Sequence, residues 1–296
     1  LQALAEVKPD IIIAVPLIIE KVYKSKIQKL VEKGTVKTLL KVPVIDKMIQ
    51  KKICGELVNA FGGKFIEVIM GGAAFNKEIE KFFWDIGFPY TVGYGMTECA
   101  PIIAYAHYDG KKLYSCGKAA LNMSIRIDSP DPENIEGEIQ VHGPNTTLGY
   151  FKNEEASKEL FTEDGWMRTG DMGVIDKEGY LYIRGRSKCM VLGPNGQNIY
   201  PEELESVVNS FAYVVDSLVI EDNGGLTALV YPDYHQGELD GMNREDLEKT
   251  LRGQLPEMNR EIPNYAQIKK IEFMPEDFER TPKRSIKRYL YQRNNS

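Results

Sequence analysis

Lys64-Phe65-Ile66-Glu67-Val68-Ile69-Met70 runs unbroken into Gly71-Gly72-Ala73-Ala74, and Asn76 then opens a stretch whose apolar residues are Ile79, Phe82 and Phe83. The first seven residues have the apolar, β-branched character of a strand. Asn is a favoured helix N-cap, and spacing of i, i+3 and i+4 lays three side chains along one buried stripe. Strand, glycine turn and helix in succession predict an α/β architecture. Upstream, Asp10 to Val15 follows Lys8-Pro9 and predicts a short buried strand. Residues 20–58, rich in Lys and Glu with spaced apolar positions, predict two or three helices interrupted at Gly34 and Pro43.

Further along, the character changes twice. Residues 124–128 and 138–142 alternate apolar and polar, as half-buried strands do. Val174-Ile175, the turn Asp176-Lys177-Glu178-Gly179 and Tyr180 to Arg184 read as a hairpin, so a small sheet or partial barrel is expected here. Past a glycine-rich loop, Pro201 stands at the favoured first position of a helix, with Glu202 and Glu203 where the helix dipole accepts negative charge. Leu204, Val207, Val208 and Phe211 share a face of that helix. Two strands, 214–220 and 226–231, and a helix carrying Leu247, Leu251 and Leu255 complete enough core for a separate domain. The mixed α/β and α+β chain is therefore divided into a large-domain part at 1–185, a hinge at 186–189 and a small domain at 190–296.

Composition narrows the function. The 296 residues suit two domains, and 43% apolar content supports packed cores. With 37 Lys and Arg against 43 Asp and Glu, the net charge of −6 argues against a nucleic-acid partner. His107, His142 and His235, and Cys54, Cys99, Cys116 and Cys189, have no zinc-site or disulfide spacing, which fits a reducing cytoplasm. The most apolar run, Ile11 to Ile19, is broken by Pro16 and falls far short of the roughly 20 residues of a membrane span. The chain opens at Leu1 inside ordinary folded sequence and reads as a piece of a longer protein.

Four segments carry chemistry. Gly71-Gly72-Ala73-Ala74 lets a flat or phosphorylated ligand lie on the backbone, although alone it reads more simply as a tight turn. Val92-Gly93-Tyr94-Gly95-Met96-Thr97-Glu98 offers a ring between glycines as a stacking face, a hydroxyl for phosphate and a carboxylate for Mg²⁺, an ion that takes only one or two protein carboxylates. Gly165-Trp166-Met167-Arg168-Thr169-Gly170-Asp171 places an Asp on a glycine turn at a strand end, suited to a ribose diol, although an isolated Thr-Gly-Asp tripeptide is usually only a turn. Gly185-Arg186-Ser187-Lys188-Cys189, followed by Gly196-Gln197-Asn198-Ile199-Tyr200-Pro201-Glu202-Glu203, joins a phosphate-compatible Arg to a glycine hinge and a helix start.

In this order, GGAA, YGMTE, TGD and GRSK…GQNIYPEELE closely resemble the adenylate-forming (AMP-binding) superfamily of acyl-CoA synthetases, luciferases and peptide-synthetase adenylation domains. The resemblance runs from about residue 9 to about residue 290. Ala14-Val15-Pro16 with Glu20-Lys21-Val22-Tyr23, and the helical stretch before the GGAA turn, resemble its long-chain fatty acid–CoA ligase branch. The resemblance implies a ligase that joins a fatty acid to coenzyme A in two steps. ATP and Mg²⁺ serve the first, which gives acyl-AMP and pyrophosphate, and the CoA thiol then displaces AMP. It further implies that Gly72, Ala73 and Ala74 line the adenine pocket, with Gly95 and Met96 beside it. Tyr94 stacks on the base, Thr97 contacts the α-phosphate, Glu98 binds Mg²⁺ and Asp171 holds the ribose. Ile183 covers the purine, Arg186 reaches ribose and phosphate, and the 193–198 loop faces the pantetheine path once the small domain rotates.

Three departures qualify the match. The Ser/Thr/Gly-rich phosphate loop of the family occurs nowhere in these residues, so this piece alone is expected not to complete adenylation. Cys189 replaces the usual hinge Asp. Thr281-Pro282-Lys283-Arg284-Ser285-Ile286-Lys287-Arg288 puts Ser285 where the family has its lysine, so either Lys283 or Lys287 substitutes or the full-length enzyme adenylates slowly, the simpler reading of the segment being a basic solvated tail. An adenylating ligase for another carboxylate or an acyl carrier protein, and a non-catalytic nucleotide or acyl sensor, are the alternatives. A fatty-acid substrate is compatible with peripheral membrane contact, for which the lysine-rich residues 21–52 are the candidate, although a solvated face is their simpler role.

Overall fold

The computed structural model describes residues 2–23, 43–193, 196–281 and 285–293. The chain divides into two compact units, Leu1–Ile183 and Arg184–Ser296. In the first, α1 (Gln2–Val7), β1 (Ile11–Ala14), α2 (Pro16–Val22), α3 (Pro43–Ala60), β2 (Glu67–Met70), α4 (Lys77–Asp85) and β3 (Tyr90–Val92) build a parallel sheet of order β1-β2-β3 with helices against it. Ile12, Val68 and Tyr90 stand in one row of the register, and all three belong to a core completed by Ile19, Ile53, Leu57, Ile79 and Phe83. Asn76 caps α4 as its sequence predicts, its Oδ1 accepting the N–H groups of Glu78 and Ile79 at 3.0 and 3.1 Å.

One expectation fails at β1. Only Ile12 is buried, whereas Ile11 and Ile13 are 54% and 81% exposed. β1 is an edge strand, and its alternate residues point away from the helix layer, so a continuous apolar run is not buried on both faces in this chain. Of the helices predicted over 20–58, residues 24–42, including Gly34, lie outside the described residues. Pro43 begins α3.

The rest of the first unit is β-rich, as expected. β4 (Tyr94–Gly95), β5 (Ile102–Tyr105) and β6 (Lys118–Ala119) form one small sheet. β7 (Ser124–Asp128), β8 (Gly137–His142), β9 (Met167–Ile175) and β10 (Leu181–Arg186) form another in the order β10-β9-β8-β7, with the short helix α5 (Glu154–Glu159) between β8 and β9. Ile127, Ile139, Val141, Met167 and Leu181 from the larger sheet pack into one core with Tyr94 and Ile103 from the smaller and with Cys99 from the turn between β4 and β5. This shared core brings segments distant in sequence together.

In the second unit, β11 (Val191–Leu192) pairs with β12 (Asn198–Ile199), and α6 (Pro201–Ser210) follows with Pro201 in its first turn. β13 (Val214–Asp222) and β14 (Gly225–Pro232) are antiparallel, and β15 (Ile268–Phe273) adds to β14 in parallel after α7 (Tyr234–Leu239) and α8 (Arg244–Glu261). Leu204, Val208, Val219, Ala228, Leu247 and Leu251 make the helix-side core. Leu218, Ile220 and Leu229 point to the other face, where Phe278, Ile286 and Tyr291 of the C-terminal segment cover them. Arginines fasten that segment down: Arg280 to Asp216 and Asp277, Arg288 to Glu205, and Arg293 to Asp222 and Glu272.

Candidate functional site

Gly71 to Ala74 follow β2 directly. Gly93 N–H donates to the Met70 carbonyl at 2.8 Å, so the GGAA turn and the start of the YGMTE segment lie side by side. Gly72 has φ +83, a conformation that side chains rarely adopt, and Gly72, Ala73 and Ala74 are exposed. Gly95 is required for a different reason. A Cβ there would stand 2.0 Å from the Pro101 carbonyl oxygen, which accepts the Met96 N–H at 2.9 Å.

Tyr94 is only 7% exposed, and its hydroxyl donates to Asp171 Oδ2 at 2.6 Å, joining two motifs 77 residues apart. Asp171 is itself 5% exposed. The strand-end placement expected for Thr169-Gly170-Asp171 is corrected: the tripeptide lies inside β9, at a register shift against β8. Thr169 Oγ1 donates to the Ile139 carbonyl at 2.7 Å, Gly170 takes φ +70, and Asp171 N–H donates back to Thr169 Oγ1 at 3.1 Å. A bulge of this kind re-aims a side chain, here turning the Asp171 carboxylate towards Tyr94. Met96 and Ile183 pack against the core that contains Tyr94. The structure therefore gathers Tyr94, Met96, Asp171 and Ile183.

Thr97 and Glu98 start a short helical turn, Thr97–Cys99. The Glu98 carboxylate accepts the Tyr150 hydroxyl at 2.8 Å on Oε1, while its carbonyl accepts Thr147 N–H at 2.7 Å. Sequence reasoning missed Tyr150, which lies 52 residues away and outside all four motifs. Among the described residues no group of three or more His, Cys, Asp or Glu forms a metal cage. A single oriented carboxylate beside a phosphate-compatible hydroxyl fits Mg²⁺, which is bound through one or two carboxylates plus substrate phosphates. Neighbouring thiols are inert, since burial pushes Cys99 up to about 11 and Cys116 up to about 12.

The remaining residues belong to the second unit. Arg186 ends β10 and is exposed. Ser187 to Cys189 form a short turn, with the Cys189 thiol pushed up by burial and by the Glu202 carboxylate. Within the 193–198 loop, residues 194 and 195 lie outside the described residues, and so does Lys283. Arg280 and Ile286 form an antiparallel bridge closed by Thr281 N–H to the Ser285 carbonyl at 2.8 Å and Lys287 N–H to the Glu279 carbonyl at 2.8 Å. In such a hairpin alternate residues share a face. Ser285 and Lys287 are therefore on one side, with the Lys287 ammonium 3.1 Å from Glu279, while Ile286 and Arg288 turn inward.

Arg288 is the best-anchored group of this tail. Its Nη1 lies 2.8 Å from both oxygens of Glu205 on α6, and its Nη2 donates to the Val219 carbonyl at 3.3 Å. Val219 N–H donates to the same carboxylate at 2.7 Å, so the outer edge of β13 is sealed by the pair. Burial pushes Glu205 up to about 7 against the pull of Arg288.

Comparison with known proteins places the chain in a family. The AMP-binding enzyme family matches residues 1–151, and the AMP-binding enzyme C-terminal domain matches residues 189–294. The chain belongs to the AMP-binding enzyme family. The long-chain-fatty-acid–CoA ligase FadD15 of Mycobacterium bovis is 26% identical over 332 residues, covering 97% of this chain and 54% of that protein. The 2-succinylbenzoate–CoA ligase of Bacillus cytotoxicus is 38% identical over 158 residues, covering 52% of this chain and 32% of that protein. The solved o-succinylbenzoate coenzyme A synthetase (MenE) of Bacillus subtilis, in complex with ATP and magnesium ion, aligns with a TM-score of 0.62 at 26% identity, over 81% of this chain and 49% of that one. The chain thus spans about half the length of these relatives, or less.

Proposed function

We propose that this chain is the nucleotide-holding and C-terminal part of an ATP-dependent ligase that joins a long-chain fatty acid to coenzyme A through an acyl-adenylate. The observation that carries the reading is the buried bond from the Tyr94 hydroxyl to Asp171. It fixes an aromatic ring and a diol-binding carboxylate in one place, the two groups a purine nucleoside needs. In this reading the GGAA backbone and Met96 border the base, Ile183 closes over it and Asp171 accepts the ribose hydroxyls. Thr97 meets the α-phosphate, and Glu98 holds Mg²⁺, which when bound neutralises charge developing on the phosphate oxygens. Lys283 or Lys287 is the substitute for the lysine expected at Ser285, and Arg186 is the residue assigned to the ribose and phosphate by the GRSK motif. Coenzyme A is the second substrate.

The fatty-acid assignment is supported by the match to FadD15 over nearly the whole chain. The higher local identity to 2-succinylbenzoate–CoA ligases favours a second reading, in which the acid is an aromatic dicarboxylate. ATP–pyrophosphate exchange by the full-length protein separates the two. Exchange that rises with acyl length up to palmitate supports the first, and exchange with o-succinylbenzoate alone overturns it in favour of the second. No exchange with any carboxylate refutes both.

A further inference from the structure

The turn that carries Glu98 is gripped from outside by the segment after β8. Asn145 donates its side-chain amide to the carbonyls of Cys99 and Ile102, at 2.6 and 2.9 Å. Thr147 N–H donates to the Glu98 carbonyl. Tyr150 is anchored in turn, its N–H donating to Ser157 Oγ at 2.8 Å. Gly149 lies so close to Ser157 that a Cβ would stand 2.8 Å from the hydroxyl. Three points of attachment thus end in a phenol whose hydroxyl meets Glu98 Oε1, and within this unit no donor among the described residues reaches the other carboxylate oxygen.

Stability alone does not explain the contact. Tyr150 is 40% exposed, so water competes for its hydroxyl, and the net worth of such a bond is only about 1 kcal/mol. Its definite effect is on direction. A glutamate on an exposed turn samples several rotamers, whereas a donor held by its own backbone fixes one oxygen and leaves the other presented. Hydrogen bonds of this kind orient metal-binding carboxylates, and losing one typically costs 10- to 100-fold in metal affinity.

We propose that Tyr150 is the positioning residue of the metal site: through its hydroxyl it holds Glu98 so that the free carboxylate oxygen meets the magnesium of Mg·ATP. This rests on the reading of Glu98 given under Proposed function. The test measures binding of α,β-methylene-ATP to the full-length protein by calorimetry, with Mg²⁺ and with EDTA, in wild type, Tyr150→Phe and Glu98→Gln. Tyr150→Phe removes one hydroxyl and keeps the ring, and its thermal midpoint is checked beside wild type. It is expected to lose at least about tenfold of the Mg²⁺-dependent gain in affinity while binding in EDTA stays unchanged. Retention of that gain within twofold, alongside its loss in Glu98→Gln, overturns the proposal alone. Equal weakening in Mg²⁺ and in EDTA also overturns it, because Tyr150 would then be shaping the nucleotide pocket. Full retention of the gain in Glu98→Gln removes Glu98 from the metal site and overturns the earlier reading together with this one.

Discussion

Replacing Gly95 with alanine tests whether the small sheet that carries Tyr94 is closed by backbone contact. The new Cβ would lie 2.0 Å from the Pro101 carbonyl oxygen, 2.8 Å from its carbon and 3.1 Å from Ile102 Cα. An ordinary carbon–oxygen contact is about 3.3 Å, so β4 and β5 must part by about 1 Å. No flexible side chain is available to give way, because every obstacle is main chain. Overpacking of this kind costs roughly 1–3 kcal/mol. Losing the Met96 N–H bond to Pro101 adds about 1 kcal/mol, and the expected loss is about 2–4 kcal/mol. Both tryptophans, Trp84 and Trp166, lie in the first unit, so their emission during urea unfolding reports on that unit alone. Gly93→Ala is the control: its Cβ would meet the Ala104 carbonyl oxygen at 3.6 Å, an ordinary contact, and its cost is expected within about 1 kcal/mol. A Gly95→Ala protein within about 0.5 kcal/mol of wild type would refute the reasoning. In the full-length protein the same displacement of Tyr94 and Thr97 should slow adenylation on the order of 100-fold.

Two further outcomes concern buried charge. Arg288→Met strands Glu205 with only the Val219 N–H, and a broken buried pair costs about 3–5 kcal/mol. Hydrogen exchange at β13 amides should show that loss, and adding Glu205→Met should restore most of it; a single-variant loss below about 1 kcal/mol contradicts the account. Glu80, buried on α4, accepts Tyr114 N–H at 3.0 Å and the Tyr90 hydroxyl at 3.3 Å. Burial pushes its carboxyl up to about 7, although Lys111 and Lys77 pull the other way. The native state therefore keeps a proton that the unfolded chain releases near 4.5, and stability falls as pH rises from there to about 7. Glu80→Gln removes this term, so its stability relative to wild type should rise by up to about 3 kcal/mol across the window. Parallel pH profiles of thermal midpoint for the two proteins would count against it.

Local signals were legible wherever one residue type decides a conformation. Asn76 and Pro201 mark helix starts in the sequence and in the structure, and alternation marks β7 and β8. Strand run, glycine turn and capped helix were enough for the α/β class. Long-range geometry was not legible. Nothing near Asp171 shows that Thr169-Gly170-Asp171 interrupts β9 as a bulge, because a bulge is a mismatch of register with a strand 30 residues away. Tyr150 stands in a loop of ordinary composition, and its bond to Glu98 exists only once β8 and the YGMTE segment share a core. The exposed Ile11 and Ile13 show the converse: apolar character suggests burial, but the neighbours present decide it.

The C-terminal segment is a passenger of its own unit. Arg280, Arg288 and Arg293 lock it to β13, α6 and β15, so Lys287 has little freedom beyond that of its own stem. Its aim is written in acidic residues such as Glu205, which Arg288 grips from 83 positions away, and an engineer who edits Glu205 re-points the lysine without touching it.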